Sequence, residues 1–211
     1  MNFVDVLGPL IAIVSFIKVK HKISPELMFV KLFCIVQLAC NTVGIVLDIL
    51  IIQNYWVYEL NMLLSFGILL FLFGKYLLHL KNSIIYLLAF LVIISNTITH
   101  YFYGWAATFN SYGYALISIV IVLFCLYFFY YRLINTPEEV SVPDTSIFWS
   151  IVGIFTYYAG AFFIFISYKV LIATESSSLG ILWRFHNILL LICCLYISYG
   201  VICKNYRTIL S

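Results

Sequence analysis

The sequence predicts an all-α fold: a polytopic transmembrane helical bundle of seven spans, with the N-terminus outside and the C-terminus cytoplasmic. Three observations carry this expectation. Of 211 residues, 65 % are apolar and only 9 % charged, with a mean hydropathy of +1.12, which lies far from soluble globular averages. Nineteen Phe, seventeen Tyr and four Trp are an aromatic load that a water-facing surface would not carry without aggregating. The apolar runs are also continuous, as from Ile117 to Leu126, whereas outer-membrane barrel strands alternate over segments of about ten residues. A membrane helix takes roughly 20 apolar residues, so seven spans with short connections use nearly the whole chain. A soluble catalytic or DNA-binding domain does not fit beside them.

Each span can be placed between Lys and Arg residues. Helix one is expected from Phe3 to Ile17, broken near its start by Gly8-Pro9 and followed by Lys18, Lys20, His21 and Lys22. Helix two runs from Pro25 to Ile52; Ser24 can cap it, and Pro25 in the first turn loses nothing by lacking an N–H. Gln53, Asn54, Tyr55 and Trp56 form the turn into helix three, Val57 to Leu78, and Lys81-Asn82-Ser83 leads into helix four, Ile84 to Thr99. An uncharged aromatic stretch from His100 to Tyr112 precedes helix five, Gly113 to Tyr131. The acidic loop with Pro137, Glu138, Glu139, Pro143 and Asp144 precedes helix six, Ser146 to Tyr168, and Glu175 with the following serines precedes helix seven, Leu179 to Ile202.

Charge placement sets the orientation. With the N-terminus outside, the inner ends carry Lys18, Lys20, Lys22, Lys31, Lys75, Lys81, Arg132, Lys204 and Arg207, and the outer side carries Lys169 and Arg184. Such an excess is the positive-inside pattern, and Tyr101, Tyr103, Trp105 and Tyr112 form an interfacial aromatic belt on the other side. The formal net charge of +3 follows from this topology and calls for no nucleic acid. The start of the chain has no basic n-region and no small-residue cleavage site, so helix one is expected to be retained.

Ionisable and amide side chains inside spans are expensive and therefore mark function. Asp48 lies near the outer end of helix two, Glu59 and Asn61 early in helix three, Asn96 and His100 at the outer end of helix four, and Arg184, His186 and Asn187 early in helix seven. Arg184 and His186 are then roughly 7–10 Å deep at 1.5 Å per residue. Gln37 and Asn41 are the polar exceptions near the middle of helix two. These positions predict an outward-facing polar cavity for a small molecule or lipid, with Arg184 neutralised by Asp48 or Glu59 and with Tyr157 of helix six contributing its hydroxyl. The competing account is interfacial: Glu59 and His100 are shallow enough to reach water, and Arg184 can snorkel. Gly153, Ala159, Gly160 and Ala161 let another helix approach helix six closely.

Several chemistries fall away. All six cysteines lie within spans, where they act as small apolar residues, and no structural disulfide is expected. His186 is separated from Cys193 and Cys194 by about 10–12 Å of helix, too far to share a metal. Helix seven has no Lys for retinal, and the chain has no Pro-Gln pair of the kind found in three-plus-one-plus-three sugar transporters. His21 and His79 fall on the opposite side from His100 and His186, a poor basis for an intramembrane zinc hydrolase. No metal, cofactor or reaction is predicted.

Gly8-Pro9-Leu10 in helix one, Gln53 to Tyr58 entering helix three, Phe148-Trp149 with Gly153, Tyr157 and Gly160 in helix six, and Trp183 with His186-Asn187 in helix seven appear in this order. The pattern resembles a family of small seven-helix integral membrane proteins of Bacteroidota to which no reaction is assigned. The resemblance implies a bacterial inner-membrane location and a membrane component of a signalling system whose kinase or regulator is a separate chain. The expectation is therefore a sensory module that works through a membrane or cytoplasmic protein partner; a small-solute transporter or channel, or a structural subunit of a membrane complex, is the alternative.

Overall fold

The computed structural model describes residues 3–19, 23–103, 109–135, 145–173 and 179–205. These form seven α-helices: α1 Val4–Lys18, α2 Pro25–Ile49, α3 Tyr55–Phe71, α4 Asn82–Tyr103, α5 Ser111–Asn135, α6 Ser146–Ala173 and α7 Leu179–Asn205. A π-helical segment, Leu72–Leu77, continues α3. Helices α2 to α7 are each long and apolar enough to cross a membrane, with α3 counted through Leu77. At 15 residues, α1 is shorter. These are the features of a multi-pass integral membrane protein.

Helix α1 differs from expectation, because it runs unbroken through Pro9. A proline has no N–H for the carbonyl four residues earlier, and in lipid an orphaned carbonyl costs several kcal/mol. Here that carbonyl belongs to Asp5, and the Nδ2 of Asn41 on α2 donates to it at 3.0 Å. The neighbouring helix thus supplies the bond that the proline removes.

The starts of α2, α5 and α6 are capped by side chains. Ser24 Oγ accepts from Leu27 N–H at 3.4 Å, Asn110 Oδ1 from Gly113 N–H at 3.0 Å, and Thr145 Oγ1 from Phe148 N–H at 3.3 Å. Helix α2 ends in a Schellman motif, with Ile51 N–H bonded to Asp48 C=O at 3.1 Å and Ile52 N–H to Leu47 C=O at 2.9 Å. The left-handed position, normally glycine, is Ile51 at φ 57°.

Packing runs in a ring: α1 lies between α2 and α7, and α3, α5 and α6 complete the circle. Helix α4 sits outside it against α3 and α5 and has the smallest buried share of the six long helices. Close approach between α6 and α7 depends on two glycines: a Cβ at Gly153 would lie 2.7 Å from Cys193 O, and one at Gly200 would lie 2.7 Å from Ser146 O. Because lipid is as apolar as leucine, such backbone proximity is a main source of helix association in membranes.

Cross-helix contacts also show how successive helices alternate. The first turns of α1, α3, α5 and α7 gather at one end, where Asp5 meets Asn41 and where Tyr58, Phe109 and Trp183 meet. The starts of α4 and α6 lie at the other end, beside Gly74 and Gly200 respectively. The first is called here the aromatic end and the second the basic end.

Candidate functional site

At the midpoint of α2, Gln37 is buried and faces two polar residues of α3 one turn apart, Asn61 and Ser65. Their side chains close a ring. Asn61 Nδ2 donates to Gln37 Oε1 at 3.1 Å, Gln37 Nε2 donates to Ser65 Oγ at 2.9 Å, and the Ser65 hydroxyl donates to Asn61 Oδ1 at 3.2 Å. Each member both gives and receives, so the bonds polarise one another and satisfy groups that would otherwise be orphaned in hydrocarbon. Beside the ring is a cavity of about 10 Å³, also lined by Tyr114, Ser118, Tyr157 and Tyr158. That is room for a single water. Ser118 Oγ, on a side chain 1 % exposed, has no hydrogen-bond partner.

On the α6 and α7 side, the Tyr157 hydroxyl lies 2.9 Å from His186 Nε2, while His186 Nδ1 lies 3.4 Å from Asn187 Oδ1. An amide oxygen only accepts, so Nδ1 is assigned the proton and Nε2 accepts from the phenol. A neutral imidazole suits this setting: rings of Tyr157 and Phe165 have centroids 5.3 Å from it, and that of Trp183 is at 5.7 Å.

Toward the aromatic end, this polar centre is covered by packed rings. Phe109, from the residues leading into α5, is the hub, with centroids of Tyr114 at 5.0 Å, Tyr168 at 5.1 Å, Trp183 at 5.2 Å and Phe165 at 5.6 Å. The Tyr114 hydroxyl donates to the Tyr58 carbonyl and ties α5 to α3. Toward the basic end, the core is apolar, with Phe33, Leu69, Phe73, Ile121, Phe128 and Ile154 fully buried.

The expected site residues separate into groups. Asn61, Tyr157, His186 and Asn187 come to this centre. Asn96 is buried but structural: its Nδ2 donates to Val92 O at 3.0 Å, and its Oδ1 accepts from Asn110 Nδ2 at 2.7 Å, which fixes the start of α5. Glu59 is buried on α3 at 6 % exposure, two residues from Asn61 and so on a different face of the helix. Asp48 and Arg184 are exposed. The last turn of α4 contains His100, whose side chain lies outside the described residues. Sequence reasoning left Gln37, Ser65 and Ser118 out of the site. The available signal was an amide at the centre of an apolar span and an Asn-to-Ser spacing of four residues.

Among the described residues, no group of three His, Cys, Asp or Glu side chains could hold a metal ion. Cys34, Cys40, Cys125, Cys193 and Cys194 are buried free thiols; Cys203 lies outside the described side chains. The centre therefore offers neutral donors and acceptors. No family model, curated protein or solved structure matches the chain.

Proposed function

We propose that this protein is a sensory module of a bacterial inner membrane, with its aromatic end outside and its basic end in the cytoplasm, acting through a separate protein chain. The single observation that carries this reading is the Gln37–Asn61–Ser65 ring beside the Tyr157–His186 pair, deep in the bundle beneath aromatic rings. Polar groups this deep are costly unless they serve packing or a ligand. The orphaned hydroxyl of Ser118 marks unused binding capacity. Space for only one water makes this a closed state. Entry of a ligand requires the Phe109–Trp183 rings to part, and this movement would tilt α6 and α7 at the basic end. Orientation is supported by cations: Lys18, Lys31, Lys75, Lys81, Arg132 and Lys204 belong to the basic end, against Lys169 and Arg184 at the other.

Native mass spectrometry of the purified chain tests this reading. A small polar molecule is expected to co-purify with the wild type and to be absent from Asn61→Leu. An identical ligand-free spectrum for both proteins, before and after incubation with a membrane metabolite extract, would sink it. The π-helical segment Leu72–Leu77 favours a second reading, a small-solute transporter or channel, because π turns often mark positions where a helix changes register at a functional site. Solute flux into proteoliposomes that is abolished by Gln37→Leu would favour transport.

A further inference from the structure

A second cavity, of about 340 Å³, opens at the basic end, remote from the polar centre. Four span ends converge on it: the starts of α2 and α6 and the ends of α3 and α5. Its position is therefore the level at which a bilayer passes from hydrocarbon to head groups. The lining is divided in the same way. Leu77 and Ile147 supply apolar wall, while Ser24, Ser146, Glu26 and Arg132 supply hydroxyls and one charge of each sign.

Glu26 and Arg132 face the same cavity, yet among the described residues they form no ion pair with each other. The Arg132 guanidinium is instead held over the Phe128 ring, 5.7 Å from its centroid. Two opposite charges kept apart in one cleft are complementary to a ligand that carries both charges itself. An apolar wall beside them suits a ligand with a hydrocarbon stem.

We infer that this cavity binds a phospholipid head group bearing both a phosphate and a primary ammonium, with the phosphate on Arg132 and the ammonium on Glu26. The guanidinium donates in parallel to phosphate oxygens. The carboxylate accepts hydrogen bonds from an –NH₃⁺ group, which a quaternary ammonium cannot give. A glycerol phospholipid has no cation for Glu26 and can offer it only a neutral hydroxyl, a weaker donor than an ammonium. The stem separates a lipid from the free zwitterion, since Leu77 and Ile147 gain contact only from the former.

The test uses the full chain in bilayer discs containing equal amounts of ethanolamine, choline and glycerol phospholipids with the same acyl chains. Lipids retained after gentle extraction are counted by native mass spectrometry. The wild type is expected to keep the ethanolamine lipid about tenfold over the other two, the scale of one charge-assisted hydrogen bond. Glu26→Gln should erase that preference, Arg132→Gln should lower retention of all three, and Arg132→Lys should keep the preference and so separates loss of charge from loss of fold. Equal retention of the three lipids by the wild type, or unchanged ethanolamine-lipid retention in both neutral variants, overturns the inference. Displacement of the lipid by millimolar free O-phosphoethanolamine would assign the cavity to a soluble zwitterion and overturn the lipid assignment.

Discussion

Pro9 and Asn41 show how one residue's defect becomes another residue's purpose. Asn41→Leu leaves the Asp5 carbonyl without a donor and is expected to destabilise the bundle by about 1–2 kcal/mol. Pro9→Ala restores the backbone N–H, so Asn41→Leu should cost less in that background. A double-mutant cycle of unfolding in mild detergent measures the coupling, and strictly additive effects would count against the account. Ile51 is a simpler case. A β-branched residue at φ 57° is strained relative to glycine, and its side chain is 94 % exposed, so little packing is at stake. Ile51→Gly should stabilise the protein by about 1 kcal/mol, visible as a rise in Tm. Neither case was fully legible in the sequence. Pro9 reads as a helix breaker because nothing local reveals that Asn41, from another helix, will donate to the freed carbonyl. Ile51 reads as the last residues of an apolar span, because the turn is imposed by the chain's need to reach α3.

Among elements, α6 and α7 have the most demanding fit. Gly153→Ala places a methyl 2.7 Å from the Cys193 carbonyl oxygen, backbone that cannot swing aside, and should cost about 1–3 kcal/mol. Gly67→Ala on α3 is the control: no atom lies within 4 Å, and alanine's better helix propensity should leave the protein as stable or slightly more so. Thermal unfolding of both variants distinguishes packing from propensity. The sequence identified these elements well, since unbroken apolar runs and Lys-marked ends need no tertiary information. Their termini were less accessible. Helix α4 continues to Tyr103 and α6 to Ala173, because interfacial aromatics and aliphatics contain no breaker. Within the π-helical segment after Phe71, Gly74 leaves room for Ile85 of α4, whose side chain a Cβ there would meet at 2.7 Å. The site was half legible for the same reason: Asn61, Tyr157 and His186 stand out as polar residues in spans, whereas their grouping with Gln37, Ser65 and Ser118 depends on how the helices face one another.

For the whole molecule, the alternation of helix directions puts α1's start and α7's finish at opposite ends of the bundle. Reporter tags at the two termini are expected on opposite sides of the membrane, with the C-terminal tag protected from external protease; both tags on one side would refute the orientation and the outward-facing site together. A further consequence comes from α1's seat between α2 and α7. Contact between elements so distant along the chain must wait for loop closure over nearly the full length, which slows assembly. The face of α1 that carries Gly8 therefore meets Leu191 only once α7 has entered the bilayer. The ring is closed last at its shortest member, and a nascent chain stalled before α7 would leave that face of α1 to lipid.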